Sequence, residues 1–436
     1  MDWRTYYKER LMSADEAVKL IKDNDKLVLA HDVGEPPALV EAMVRNAANY
    51  KNVEISHMFT LGSGAYSHPE YADNFHMNLW FVSGPVRKCI LDGHGDYTPM
   101  YFHETPGLMR DGTIKVDTAL IMVTPPDENG KVSTGVAGDY TVQAVKSART
   151  VIAQINDQVP FTYGGAVFDV TEIDAFVECN QPLPALPDAK IGEVESLIGK
   201  NCASVIDDGA CLQLGIGSIP DAVCHELVHK KHLGIHSEML GDGVVKLYEE
   251  GAVDNSLKQI DKGKFVFNFV MGSQKLYDFC DKNDKCMLMP VDYVNDPRII
   301  CQNDNVVSIN GGLAVDFYGQ VAADTIGYTQ FSGVGGQVDF IRGAAWSKNG
   351  KAIIAMPSMT VKKDGTKISK INPLLSEGTV VATPRHDVDY IATEYGIVRL
   401  KGLTVKERAK ALISIAHPDF REELRDDYEK MFREKF

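Results

Sequence analysis

Short apolar runs alternate along this chain with longer stretches in which apolar residues recur every three or four positions. LVLAH (27–31), VEIS (53–56), LWFV (79–82), TALIMV (118–123) and TVIAQI (150–155) are too short for helices and rich in β-branched or aromatic residues. They predict buried strands, and the helical patterns between them predict an α/β protein. The segment ECNQPLPALPDAK (178–190) places Pro182, Pro184 and Pro187 close together. Such a run interrupts regular structure, so a domain boundary is expected there, giving domains 1–183 and 184–436.

The second half restarts the pattern of the first. LVLAHDVGEPPALVEAM (27–43) aligns with CLQLGIGSIPDAVCHEL (211–227), pairing Gly34 with Gly217 and Pro37 with Pro220. LGSG (61–64) then falls opposite LGDG (240–243). Each half thus reads as strand, glycine turn, proline-started helix, second strand and another glycine turn. The pattern suggests two similar open α/β domains, whose ligands should bind at the carboxyl ends of the strands.

The most conspicuous motif lies in HELVHKKHLGIHSEML (225–240), which opens with H-E-x-x-H, the spacing of a zinc-protease helix. Pro220 suits a first helical turn and Ser218 a cap before it. On that helix Val223, Cys224 and Leu227 share one side, while His225, His229 and His232 fall on the other. The histidines are therefore expected on a solvated face, Glu226 is expected to be ordinary, and no metal is expected.

Farther along, Leu233, Ile235 and Ser237 alternate with His236 and Glu238, a strand pattern ended by Gly241-Asp242-Gly243. Glu238 is then expected at the carboxyl end of a strand, with Gly215-Ile216-Gly217-Ser218-Ile219-Pro220 as its neighbour. Glycines let a ligand approach the backbone, and free amides at a helix start favour anions. A carboxylate beside such amides has the makings of an acyl-group nucleophile, although many strand-end glutamates are only solvated. Further glycine turns lie in SINGGLAVDFYGQ (308–320) and SGVGGQVDF (332–340).

Composition narrows the function. The 436 residues are 44% hydrophobic and 24% charged, in the range of soluble globular proteins, and no run is long enough to span a membrane. MDWRTYYKERLMSADEAV has no apolar leader core. A net charge of −15 disfavours nucleic-acid and anionic-lipid partners. The eight cysteines form no C-x-x-C pair, which predicts reduced thiols and a cytoplasmic location. G-x-S-x-G, a P-loop lysine and a full G-x-G-x-x-G are missing, which removes the commonest hydrolase, nucleotide and dinucleotide readings.

GIGSIP, HSE at a strand end, NGGLAVD and SGVGGQVDF, in that order, resemble the class I CoA-transferases of the acetyl-CoA hydrolase/transferase family. The likeness runs over nearly the whole chain and includes PPDENGKVSTG (125–135) and IAHPDFREEL (415–424). It implies a duplicated α/β fold with the active site between the halves and a homodimeric assembly. Acyl-CoA and short carboxylic acids would be the substrates, with no permanently bound cofactor.

Residue by residue, the resemblance makes Glu238 the nucleophile that becomes a glutamyl-CoA thioester. Gly215, Ile216, Gly217, Ser218 and Ile219 would contact CoA, with Gly312, Gly335 and Lys362 as further CoA-binding positions. The amides of Ile216 and Gly335 would hold the oxyanion. Met239 stands where many relatives have asparagine. Val33, Met58, Phe59, Met239 and Leu240 are candidates for an acyl slot or for core, and His31 and His57 for contacts to the acid or for structural roles.

Overall fold

The computed structural model describes residues 2–187 and 189–436. Seven strands of the first half form one fully parallel sheet: β1 (Lys26–Leu29), β2 (Val53–His57), β3 (Phe75–Leu79), β4 (Gly95–Tyr97), β5 (Thr118–Val123), β6 (Thr150–Ile155) and β7 (Ala175–Glu178). Their order is β4-β3-β2-β1-β5-β6-β7. The central strands β5 and β6 are buried almost throughout, as parallel strands covered on both faces must be.

The second half holds β8 (Cys211–Leu214), β9 (Gly234–Ile235), β10 (Val306–Gly311), β11 (Lys351–Ala355), β12 (Tyr390–Thr393) and β13 (Gly396–Arg399). They order as β9-β8-β10-β11-β12-β13, parallel except for the last pair. Laid on the first sheet, β9-β8-β10-β11-β12 follows the same winding as β2-β1-β5-β6-β7. The helices after the opening strands correspond too, α1 (Pro37–Arg45) in the first half and α2 (Ser218–Leu227) in the second. Two similar open α/β sheets are present, as the repeat predicts.

Most expected strands fall in place, with one displaced. The run LWFV (79–82) contributes only Leu79 to β3, whose alternating buried and half-buried residues extend back to Phe75. Its polar positions hide that strand from a search for continuous apolar runs. Trp80 still donates its N–H to the His57 carbonyl at 3.0 Å, and Val82 packs in the first-half core, while Phe81 stands against Gly333 and Gly335 of the other half.

One apolar core runs through both halves, joining Val28, Ile121 and Phe168 to Leu214, Leu240 and Leu288. Backbone pairing adds to it: the Gly138 N–H donates to the Asn268 carbonyl at 2.8 Å, and the Val270 N–H to the Val136 carbonyl at 2.9 Å. The proline-rich segment is pinned as well, with Tyr277 Oη donating to the Pro184 carbonyl at 2.6 Å. No helix among the described residues is long and apolar enough to cross a membrane.

Candidate active site

β8 ends in Gly215-Ile216-Gly217, and α2 begins immediately afterwards. Gly217 is the N-cap, with φ of 106°, a region that a side chain would strain. Ser218, expected as the cap, is the first residue of the helix and makes no capping hydrogen bond. The glycine's extended entry places the cap one residue earlier than the side-chain preference suggests.

This turn lines a cleft of about 340 Å³ together with Ser218, Ile219, Pro220, Asn310 and Gly311. The cleft opens at the carboxyl ends of β8 and β10, the adjacent strands at which the winding of the second sheet reverses. That is the position where open α/β sheets bind ligands. The two strand ends are tied together by Asn310 Nδ2 donating to Gln213 Oε1 at 3.0 Å.

Glu238 sits where the chain changes sheets. The His236 N–H still donates to Leu212 of β8, but the Ser237 N–H donates to Val266. Ser237 Oγ bridges the gap by bonding to both the N–H and the carbonyl of Leu214. The expected strand through Glu238 is thus two short ones, β9 and Met239–Leu240, the latter paired with Phe269–Val270. Glu238 falls in the crossover between them, mostly buried, with its carbonyl accepting from the Asn268 and Phe269 N–H groups. Asp242 and Gly243, expected to close the strand as a turn, instead open α3 (Asp242–Glu249).

The Glu238 carboxylate has a defined setting. Asn295 Nδ2 donates to Oε2 at 2.6 Å, and the Gly336 amide also bonds to the carboxylate. A Cβ on Gly335 would stand 3.7 Å from Oε1. Gly335 and Gly336 precede α4 (Gln337–Trp346), and Gln337 Nε2 donates to the Gly311 carbonyl at 2.7 Å. The glycine segment beside Glu238 is thereby tied to the one lining the cleft.

The first half contributes Phe81, whose ring edge stands 3.9 Å from the Gly335 Cβ position and which meets Phe59 at 5.8 Å between centroids. His31, at the end of β1, is buried with Nδ1 3.0 Å from Asp139 Oδ2, and its ring meets Phe269 at 4.5 Å.

Electrostatics follow from this burial. Loss of solvent pushes the Glu238 carboxyl up to about 7, reinforced by the charge of Asp339 and opposed by the Asn295 bond and by His31. Burial by itself would depress His31, but the charge and hydrogen bond of Asp139, with the charges of Asp32 and Glu238, together outweigh it and hold the imidazole above its ordinary value. The carboxylate is therefore poorly solvated and correspondingly reactive near neutrality.

The other sequence candidates sort by position. Gly312 adjoins the cleft-lining Gly311 and packs against Ile354 and Met356. Lys362 stands on an exposed hairpin (Met359–Val361 with Lys367–Ser369), apart from the residues that line the cleft. Val33, Met58, Met239 and Leu240 are buried core, while Phe59 remains partly open. His57 is buried against Tyr66 Oη at 3.0 Å, and desolvation brings it down to about 4, which fits a structural role.

His225 lies exposed on the outer face of α2 with Glu226 partly exposed, while His229, expected on the same helix, is exposed in the turn just past its end at Leu227. His232 lies beyond the end of the helix, with φ of 58°, and pairs with Asp254 at 2.7 Å. Among the described residues no group of three or more His, Cys, Asp or Glu side chains is arranged to hold a metal ion.

Sequence reasoning missed Asn295, Gly336, Asp339 and His103. Gly336 and Asp339 lie within the recognised SGVGGQVDF and were available to it. Asn295, in VDYVNDP, and His103 carry no local signal.

Family models for the acetyl-CoA hydrolase/transferase N-terminal and C-terminal domains match residues 1–187 and 272–428. The chain belongs to the acetyl-CoA hydrolase/transferase family. It is 50% identical over 432 residues to a 4-hydroxybutyrate coenzyme A transferase of Clostridium kluyveri, covering 99% of this chain and 100% of that one. Among solved structures, RipA from Yersinia pestis superposes with a TM-score of 0.93 at 38% identity, covering 99% of this chain and 100% of that one. A 4-hydroxybutyrate CoA-transferase from Porphyromonas gingivalis superposes with a TM-score of 0.85 at 38% identity, with the same coverage. Membership makes the chain an enzyme, and it fits the position of the cleft and its carboxylate.

Proposed function

We propose that this enzyme is a CoA-transferase that moves coenzyme A between short carboxylic acids, with 4-hydroxybutyrate and acetate as the substrate pair. The observation that carries the reading is Glu238 itself. A single desolvated carboxylate, held at Oε2 by Asn295 and closely approached by the Gly336 backbone, stands in a strand crossover beside a glycine-lined cleft.

The chemistry follows from what a carboxylate does to a thioester. Glu238 attacks the acyl carbonyl, and the resulting oxyanion is held by backbone amides, for which Ile216 and Gly335 are the candidates. Collapse of this adduct releases CoA thiolate and leaves an acyl-glutamyl anhydride. The thiolate then attacks the glutamyl carbonyl and expels the first acid, leaving a glutamyl-CoA thioester. An incoming carboxylate attacks that thioester, forming a new anhydride and thiolate. The thiolate attacks the incoming acyl carbon, which yields the new acyl-CoA and frees Glu238. Every bond formed replaces one of similar energy, so no nucleotide is consumed and ping-pong kinetics follow.

Gly215, Ile216, Gly217, Ser218, Ile219 and Gly312 supply a cleft wall that CoA can approach closely. Lys362, on its exposed hairpin, is assigned to CoA's anionic groups by charge. Phe59 and Phe81 form the apolar side facing a short acyl chain. The two halves, 1–183 and 184–436, act as separate walls of one site. The cytoplasm, where CoA thioesters and free thiols coexist, suits both the substrates and the reduced cysteines. A homodimer is proposed on family grounds and is checked by mass in solution.

The test is to incubate the protein with acyl-CoA, reduce with borohydride and locate the modified residue by mass spectrometry. Reduction of a glutamyl-CoA thioester at Glu238 is expected; full activity with Glu238 unmodified would refute the mechanism. Hydrolysis of acyl-CoA is the second reading, since water attacking glutamyl-CoA gives free acid. Thioester loss that requires acetate supports transfer, and loss indifferent to acetate supports hydrolysis.

A further inference from the structure

Behind Asn295 lies a second carboxylate. Asp339, in the first turn of α4, is 1% exposed, and its carboxylate lies beside the Asn295 amide, which favours its charged form. Its Oδ1 lies 2.7 Å from His103 Nδ1, and its Oδ2 accepts from the His103 backbone N–H at 3.1 Å. His103 comes from the first half and Asp339 from the second, so this pair spans the two halves beside the amide that holds the Glu238 carboxylate.

The Asn295 amide is consequently held on all sides. Its Nδ2 faces two carboxylates, Glu238 and Asp339, and its Oδ1 accepts from Asn268 Nδ2 at 2.7 Å. Rotating the amide would turn its oxygen toward two negative groups and leave the Asn268 N–H unpaired. Buried groups left so cost far more than the bond itself is worth. Asn268 is fixed in turn, its N–H donating to the Glu238 carbonyl at 3.0 Å.

We propose that Asp339, anchored by His103 from the opposite half, is the positioning residue of the nucleophile: it orients the Asn295 amide so that Oε2 of Glu238 is held and Oε1 is left to attack. The proposal rests on Glu238 being the nucleophile. It also makes the correct approach of the two halves a condition for an ordered site, because His103 can reach Asp339 only when they are docked.

The charges around the pair fix the signs. Asp339 faces His103, Asn295 and Glu238, while His103 faces Asp339, Glu104 and Asp296 and stacks on Tyr101 at 6.1 Å. Arg342 on the same helix is engaged by Asp387 at 3.0 Å. Asp339 raises Glu238 through its charge, so its neutralisation lowers the pH at which Glu238 ionises. An imidazolium at His103 offsets that charge, so replacing it by an uncharged donor raises the same pH.

The experiment compares Asp339→Asn and His103→Gln with the wild type, in the full chain, for kcat, acyl-CoA KM and the acid limb of the pH profile. Asp339→Asn is expected to lose kcat on the order of a hundredfold, as misplaced reacting groups do, with KM within about twofold and the acid limb moved to lower pH. His103→Gln is expected to lose less and to move the limb to higher pH. Unchanged kcat and an unmoved limb in Asp339→Asn overturn the proposal. Should that variant fail to fold by circular dichroism, the limb of His103→Gln decides: a rise supports the proposal and no movement overturns it. Borohydride trapping in the wild type separates this outcome from the underlying one. Trapping at Glu238 with unmoved limbs defeats the positioning role alone, whereas no trapping at Glu238 defeats the nucleophile and this role with it.

Discussion

A Cβ placed on Gly336 would lie 1.9 Å from Oε2 of Glu238 and 2.2 Å from Nδ2 of Asn295. The backbone therefore approaches the carboxylate as closely as only a glycine permits, and the same contact lets the Gly336 amide bond to it. Gly336→Ala should displace the carboxylate and reduce kcat by about a hundredfold. Gly84→Ala, where a Cβ meets nothing within 4 Å, should retain activity. Steady-state kinetics on both variants, with circular dichroism to confirm folding, check this pair.

In the proposed mechanism Glu238 must be ionised to attack, and its carboxyl is pushed up to about 7 by burial. The rate should therefore fall as pH drops below about 7, where an ordinary glutamate would keep it flat down to much lower pH. The Asn295 hydrogen bond favours the charged form, so Asn295→Ala should move this limb to higher pH and slow the reaction at neutral pH. A pH profile of kcat/KM for both proteins tests the sign.

Asp32 offers a stability prediction. It is 2% exposed, has φ of 56°, and neither carboxyl oxygen has a side-chain partner. Burial raises it from 3.8 to about 7. Because the folded value exceeds the unfolded one, stability is greatest below about 4 and declines as pH rises through about 7. Asn tolerates this backbone conformation and carries no charge. Asp32→Asn should raise Tm at pH 8 and change it little at pH 4, a gain on the order of 1–3 kcal/mol in the alkaline range. Thermal unfolding at the two pH values is the measurement.

The H-E-x-x-H residues should be dispensable. His225 is exposed and Glu226 partly so on the outer face of α2, and His229 is exposed in the turn that follows it. Glu226→Gln and His229→Ala should keep activity within about twofold, as surface changes remote from a site generally do. A large loss in either variant would reopen the metal reading.

Local pattern carried much of this protein because strands and helices announce themselves through burial. The mostly apolar β5 and β6 are legible because both of their faces are covered. α2 is legible from Val223, Cys224 and Leu227, all buried as the helical period requires. Where polarity mixes into a strand, as in FHMNL of β3, the signal is lost.

By itself the sequence determined two α/β halves of similar pattern and the glycine turn before α2, and it put Glu238 at a strand end where the structure has a crossover between two short strands. It also separated Glu238 from Glu226, because helical geometry puts the latter on a wet face. Only the tertiary structure decided what surrounds that carboxylate. Asn295 lies 57 positions away along the chain from Glu238, and His103 lies 236 from Asp339. No local pattern encodes such pairs. They exist because docking the two sheets removes water from the crossover, and the polar groups left there must then find one another.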